Sequence, residues 1–238
     1  MSHCWISLLH KKSDASDVID SFLMLVKNQY QTTVNGFMTD SGSEYKSLEL
    51  WDRLRKQGIS IRMSVLHMHQ QNGCTEHLDR TLIEKAQALH FTVCLSQNWW
   101  EFCVEYMVHV YNRTPMHCHN WWTPFEVLKR DKPSVSHLRV MGCGAYIFIL
   151  EEVWVNKLAT RAELMIFLGY TNGTKGFHFM QGPNNIIFQA TTVLFDEKMF
   201  PHCLDTMDRG HTCIDKYNLP EKNILLEDGD RPQDVPDY

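Results

Sequence analysis

The sequence lacks the features that mark membrane and secreted proteins. No apolar stretch reaches the roughly 18 residues that a membrane-spanning helix requires. The N-terminus has no basic segment followed by an apolar one, so we predict that the protein is not secreted. None of the eight cysteines forms a Cys-x-x-Cys motif or another spacing typical of structural zinc sites. This predicts eight free thiols in a reducing compartment.

A strong basic excess, which would indicate nucleic-acid binding from charge alone, is also missing. Residues 1–130 hold 13 acidic and 13 basic residues, and residues 131–195 hold 4 acidic and 5 basic ones. The net charge of −5 comes from residues 196–238, which hold 11 acidic and 5 basic residues. The main part of the chain is therefore close to neutral, and its charge neither predicts nor excludes DNA as a partner.

Two different patterns of apolar residues divide the chain. The first part alternates strand-like and helix-like segments, which predicts an α/β layer fold. The predicted strands are residues 4–9, 32–38 and 60–65, and the predicted helices are 14–29, 44–56, 74–95 and 99–112. Residues 70–73 are predicted as a loop, and Asn98 with Glu101 as a capping box for helix 99–112. In helix 74–95 a core stripe is predicted, with Glu76 off it, at Leu78, Leu82, Ala86, Leu89 and Val93. A further helix is predicted to begin at Thr123, where a cap residue, a proline and Glu126 form a capping-box pattern.

The second part, after Pro133, contains short apolar strands separated by turn residues. They are predicted at residues 142–149, 164–170, 176–180, 186–188 and 192–195. Several short strands at such spacing indicate a small barrel or sandwich. From about residue 205 the sequence is acidic and rich in turn residues, and we expect it to be disordered.

Two carboxylates occupy positions suited to metal chemistry. Asp40 directly follows a predicted strand, Glu76 lies near the start of a helix, and 35 residues separate them. Carboxylates that meet in space can hold a divalent cation, and two-metal sites stabilise the attacking and leaving oxygens of phosphoryl transfer. The pair therefore indicates a site that cuts or joins nucleic-acid strands, although such sites usually need a third carboxylate. On local sequence alone, an aspartate that follows a strand and precedes Ser-Gly is more often a turn former, and this favours that role for Asp40.

Several motifs in a fixed order carry a family resemblance. They are Thr39-Asp40-Ser41-Gly42-Ser43-Glu44, His69-Gln70-Gln71-Asn72-Gly73-Cys74-Thr75-Glu76, Asn112-Arg113-Thr114-Pro115, Thr123-Pro124-Phe125-Glu126 and His137-Leu138-Arg139-Val140-Met141-Gly142-Cys143. Further matches follow at residues 157–162, 167–170, 174–177 and 193–197. Together, over about residues 4–200, they resemble the integrase region of copia-type retrotransposon polyproteins.

The resemblance implies a fold and a division into domains. It implies an RNase H-like α/β core, incomplete because its first strands are missing, followed by a small all-β Src-homology-3-like barrel. The core would occupy residues 1–133, the barrel residues 134–200, and the acidic tail residues 201–238.

The resemblance also implies an activity and its residues. The activity is DNA integration by polynucleotidyl transfer with Mg²⁺ or Mn²⁺, in which Asp40 and Glu76 would be catalytic metal ligands. Gln71 and Asn72 would lie in a flexible loop beside DNA ends, and Arg80 would support that face of the helix. The implied partners are DNA, with RNA as an alternative, and further copies of the chain, and the implied location is the nucleus.

One departure from the family bears on activity. The family's first catalytic aspartate belongs to a strand upstream of residues 4–9, and we expect this chain to lack it and to be catalytically defective. Three hypotheses stay open. The chain could be an integrase remnant, a non-catalytic module that binds nucleic acid or itself through the barrel and helix 99–112, or a relic without function.

Overall fold

The computed structural model of the chain describes residues 3–39, 48–63, 69–149, 160–171, 175–182 and 184–201. Asp40 and the acidic tail from residue 202 onward lie outside the described residues. No helix in the described part of the chain combines the length and the apolar character needed to cross a membrane.

The first part of the chain forms an α/β unit. Its elements are α1 (Ala15–Tyr30), β1 (Gly36–Thr39), α2 (Leu48–Lys56) and β2 (Ser60–Met63). Strand β1 pairs in parallel with β2, with Gly36 opposite Ser60. Leu50 and Leu54 of α2 are fully buried, and they pack with Leu23 of α1 in one apolar cluster. The parallel pair with an intervening helix agrees with the predicted α/β character of this part.

Three helices follow: α3 (His69–Thr92), α4 (Trp100–Tyr111) and α5 (Pro124–Lys129). The predicted core stripe of α3 is confirmed at Leu82 and Ala86, which are buried. The predicted start of α5 is also confirmed. Thr123 Oγ1 accepts a hydrogen bond from the Glu126 amide at 3.1 Å, and Glu126 Oε2 accepts one from the Thr123 amide at 2.7 Å. This capping box satisfies two amides that a helix start would otherwise leave unpaired.

The second part of the chain forms a five-stranded antiparallel sheet in the order β6-β5-β4-β3-β7. The strands are β3 (Gly144–Phe148), β4 (Ala162–Tyr170), β5 (Phe177–Gln181), β6 (Ile187–Ala190) and β7 (Val193–Asp196). They occur where short apolar runs predicted them, and Phe167 and Phe179 are fully buried in their core. The arrangement is consistent with the predicted small barrel.

The sheet packs against the helical part rather than standing apart from it. Leu95, Phe102 and Cys103 from the α3–α4 region share one buried cluster with Ile166 and Leu168 of β4. The face of β4 opposite Phe167 is thereby covered. The domain boundary that we placed at residue 133 stays a prediction.

The predicted strand at residues 4–9 is wrong. Residues 3–9 form no regular element, and the Cys4 backbone instead pairs with one side chain. The Cys4 amide donates to Asn112 Oδ1 at 2.9 Å, and Asn112 Nδ2 donates to the Cys4 carbonyl at 2.7 Å. A buried amide side chain thus satisfies the backbone groups that a neighbouring strand would otherwise pair.

The region around α3 and α4 departs from prediction in three more details. The predicted loop at residues 70–73 is part of α3, which begins at His69. The capping box predicted from Asn98 and Glu101 is not formed, because a 3₁₀ turn at Gln97–Trp99 leads into α4 without a side-chain cap. Cys94 is disulfide-bonded, so the prediction of eight free thiols is wrong there. Free thiols are found at Cys4, Cys103, Cys118 and Cys143.

Candidate functional site

The predicted catalytic helix presents Glu76 to solvent. Glu76 and Arg80 are both exposed on α3, one turn apart, so they share a face of the helix. Leu82 and Ala86 anchor the later part of the same helix in the core. The helix therefore holds Glu76 on a rigid support while leaving its carboxylate open to a ligand.

The second predicted carboxylate cannot be placed beside the first. Asp40 lies outside the described residues, although β1 ends at the buried Thr39, directly before it. The meeting of Asp40 and Glu76 therefore stays a prediction. Gln71 and Asn72 lie in the first turn of α3 rather than in a flexible loop, because the helix begins earlier than the sequence indicated.

The described residues alone do not form a metal centre. In the described ranges, no three His, Cys, Asp or Glu side chains gather so as to hold an ion. Asp79, three residues after Glu76, is a carboxylate that our sequence reasoning did not consider. Burial raises the pKa of its carboxyl above the ordinary value. A site that includes Glu76 would need ligands from outside the described residues.

A second site lies at the end of α4. A cavity of about 750 Å³ opens there, between the helix and the connection from β4 to β5. We call it the Arg113 pocket and define it by His109, Arg113, His137, Tyr170 and Lys175. The described residues that line it include no aspartate or glutamate. Arg113 and Lys175 therefore give the pocket a positive character.

Two histidines lie in contact inside the Arg113 pocket. His109 Nε2 is 3.0 Å from His137 Nε2, so one ring donates a hydrogen bond and the other accepts it. The His109 ring also stacks on Tyr170 with centroids 4.0 Å apart. Burial, with the charge of Arg113 and the neighbouring His137, lowers the pKa of His109 to about 3. Both causes favour the neutral ring at pH 7.

Arg113 is held in place but not fully paired. Its Nη1 donates to the His109 carbonyl at 3.0 Å, and its guanidinium lies 5.3 Å from the centre of the Phe125 ring. Its Nε is buried and finds no acceptor among the described residues. Burial lowers the pKa of the guanidinium. The side chain is thus a fixed cation that lacks a counter-ion in the described structure.

A loop beside this pocket exposes two tryptophans. In residues 116–122, the tryptophan loop, the Met116 amide donates to the Trp122 carbonyl and the Trp121 amide donates to the Met116 carbonyl. Asn120 and Trp121 have φ of 53° and 66°, a conformation that is uncommon for a bulky residue. Trp121 is 68% exposed and Trp122 is 49% exposed. The backbone therefore presents both rings to solvent instead of burying them.

The basic residues Arg130 and Lys132 line one cavity with both tryptophans, and Arg113 lines it too. Glu126 and Asp131 also line this cavity; the Glu126 carboxylate is engaged in the α5 cap, and Asp131 offsets part of the positive charge. Our sequence reasoning missed both this surface and the Arg113 pocket. No local motif reveals them, because their residues come from separate segments of the chain. The exposed Trp-Trp pair before the Thr123 cap was the one available signal.

Comparison with known proteins relates the chain to retroelement polyproteins. The family model for the retroviral polymerase SH3-like domain matches residues 143–208. The Retrovirus-related Pol polyprotein from transposon RE1 of Arabidopsis thaliana is 27% identical over 199 residues, which cover 84% of this chain and 13% of that protein. The corresponding polyprotein from transposon RE2 of the same plant is 28% identical over 199 residues, covering 84% and 14%. The chain thus spans only a small part of the curated relatives it matches.

Among solved structures, one chain of the simian T-cell lymphotropic virus intasome in complex with PP2A regulatory subunit B56 gamma is 14% identical. The match covers 73% of this chain and 61% of that chain, with a TM-score of 0.38. The sequence relatives confirm the resemblance drawn from the ordered motifs, while the RNase H-like fold of the first part stays a prediction.

Proposed function

We propose, from the confirmed resemblance of the chain to the integrase region of copia-type Pol polyproteins, that it is an integrase-derived module that binds DNA. In this proposal Asp40 and Glu76 are the carboxylates that would hold Mg²⁺ or Mn²⁺ beside the DNA phosphates. The observation that supports it is the exposed carboxylate of Glu76, on a helix whose later part is anchored in the core.

The surroundings of Glu76 in the described residues argue for weak chemistry. A metal centre for polynucleotidyl transfer neutralises charge through ions held by several carboxylates. Within the described ranges no cluster of three candidate ligands surrounds Glu76. Asp40 and Glu76 as a pair would bind one ion weakly, so we propose that strand transfer by this chain is defective while binding of DNA is retained.

Manganese binding tests the role of Glu76. We expect Mn²⁺ to broaden NMR signals of residues near Glu76 in the unmodified chain, because a paramagnetic ion relaxes nearby nuclei. Glu76→Gln and Asp40→Asn should each weaken this effect at least about tenfold, since each removes one of two proposed ligands. Glu84→Gln, at an exposed position two turns further along α3, is the matched control and should leave the broadening unchanged. Equal broadening in all variants would refute the metal site.

A second candidate function is nucleic-acid binding without chemistry, and the tryptophan loop favours it. Proteins that bind single strands combine a positively charged groove with aromatic rings on which bases stack. Trp121 and Trp122 supply exposed rings. Arg113, Arg130 and Lys132 supply positive charge in the same cavity, which the carboxylates of Glu126 and Asp131 offset only in part. This function would not depend on Asp40 or Glu76.

Binding of a single-stranded oligonucleotide tests this candidate. The double variant of Trp121→Ala and Trp122→Ala should bind at least about tenfold more weakly, because each stacked base contributes about 1–3 kcal/mol. Fluorescence anisotropy of a labelled oligonucleotide at several salt concentrations measures the effect. Trp100→Ala is the control, since Trp100 is 54% exposed at the start of α4 but outside the loop. An equal loss in both variants would show that the loop has no special role.

A further inference from the structure

The charges of the Arg113 pocket are unbalanced. The ion pairs found among the described residues join Arg53 to Asp20 and Arg139 to Glu197. Neither pair involves Arg113 or Lys175, which both line the pocket. Glu105 lines a neighbouring cavity with Arg113, but it makes no described ion pair with it. Two cations without a carboxylate partner in the described structure favour entry of an anion.

The guanidinium of Arg113, which lines the pocket, is held in a fixed plane. The bond from Arg113 Nη1 to the His109 carbonyl and the contact with Phe125 fix the plane of the guanidinium. A planar guanidinium presents several N–H groups that match phosphate oxygens. These two contacts restrain the side chain before a ligand binds, which lowers the entropic cost of binding.

The histidine pair would respond to the same anion. His109 and His137 are kept neutral by burial and by nearby positive charge. A bound anion would offset that positive charge and raise both pKa values. One of the two rings could then take up a proton while the Nε2–Nε2 hydrogen bond is kept, which would add one N–H donor. The pocket is therefore suited to an anion with several acceptor oxygens rather than to a cation.

We infer that the Arg113 pocket binds a phosphate group, carried either by a nucleic-acid strand or by free phosphate. The volume of about 750 Å³ exceeds what one phosphate fills, and it leaves room for an attached sugar. Arg113 also lines the cavity of the tryptophan loop. A strand with its phosphate in the pocket could therefore place a neighbouring base against Trp121 or Trp122. The inference does not depend on Glu76 or on a metal.

Titration with inorganic phosphate tests the site. We expect saturable shifts of the His109 and His137 ring signals in NMR spectra, and higher pKa values for both rings when phosphate is bound. Lys175→Gln should weaken phosphate binding at least about tenfold, because it removes one of the two cations. Lys175 is exposed, so this variant should fold normally. Lys198→Gln, at an exposed lysine of the same sheet region outside the pocket, should bind as the unmodified chain does.

Two further experiments identify the source of the phosphate group and test the role of the Arg113 guanidinium. A short oligonucleotide that competes with phosphate, and that binds more weakly to the Lys175→Gln variant, would identify a nucleic-acid strand as the ligand. Phosphate binding without competition would identify free phosphate. Arg113→Lys keeps the charge but removes the planar donor group, and it should also weaken binding. Shifts that do not saturate, or equal affinity in Lys175→Gln and Lys198→Gln, would overturn the inference.

Discussion

Replacing Phe167 with alanine is expected to lower the free energy of unfolding by about 3–5 kcal/mol, the cost typical of removing a buried aromatic ring. Phe167 is fully buried in β4. Its ring centroid lies between 5.4 and 6.4 Å from those of five other aromatic residues. These are Tyr106, Tyr170, Phe177, Phe179 and Phe195. Chemical denaturation followed by circular dichroism measures the loss.

Phe148→Ala is the matched control for this prediction. Phe148 lies on β3 of the same sheet but is 57% exposed, so its removal should cost less than about 1 kcal/mol. Phe167 also supports Tyr170, a wall of the Arg113 pocket. We therefore expect Phe167→Ala, where it still folds, to bind phosphate more weakly than Phe148→Ala. Equal destabilisation by both substitutions would contradict the central position assigned to Phe167.

The elements that the sequence predicted well are those with a complete local signal. The short strands of the sheet alternate with turn residues, so their positions depend on neighbours a few residues away. The start of α5 is similar, because Thr123, Pro124 and Glu126 form the cap within four residues. These two signals do not require knowledge of the rest of the fold, and both are confirmed in the structure.

The elements that were predicted wrongly depend on distant partners. Residues 4–9 have a strand-like composition, but Asn112, 108 positions after Cys4, pairs with the Cys4 backbone instead. The polar residues 70–73 resemble a loop, yet they begin α3. The later turns of α3 pack against α4. This packing stabilises the helix even though the residues of its first turn have low helix propensity.

The candidate site was predictable in part. The position of Glu76 around α3, away from the core stripe, predicted its exposure, and the structure confirms that exposure. Its pairing with Asp40 stays a prediction. The Arg113 pocket could not be found from sequence, because His109, His137 and Lys175 are brought together by packing of α4 against the sheet. Spacing along the chain carries no information on such a contact.

The junction between α3 and the sheet gives the second large expected effect. Gly142 has φ of +81°, and a Cβ added to it would lie 2.6 Å from Val93 Cβ. Its amide also donates to the Phe167 carbonyl at 2.8 Å, which limits how far the backbone can shift. We expect Gly142→Ala to lower the free energy of unfolding by about 2–5 kcal/mol, from the strain of a left-handed conformation and from overpacking.

Two other glycines separate these contributions. Gly58 has φ of +76° but nothing within 4 Å of an added Cβ. Gly58→Ala should therefore lower the free energy of unfolding only through the strained backbone conformation, by about 1–2 kcal/mol. Gly182 has neither a positive φ nor a close neighbour, and Gly182→Ala should change stability by less than about 0.5 kcal/mol. Thermal and chemical denaturation of the three variants should therefore rank them Gly142→Ala, Gly58→Ala, Gly182→Ala, from most to least destabilised. A Gly142→Ala variant that loses no more stability than Gly58→Ala would contradict the close packing of Val93 against the start of the sheet. It would also contradict the rigid junction that holds the sheet and the Arg113 pocket against the helices.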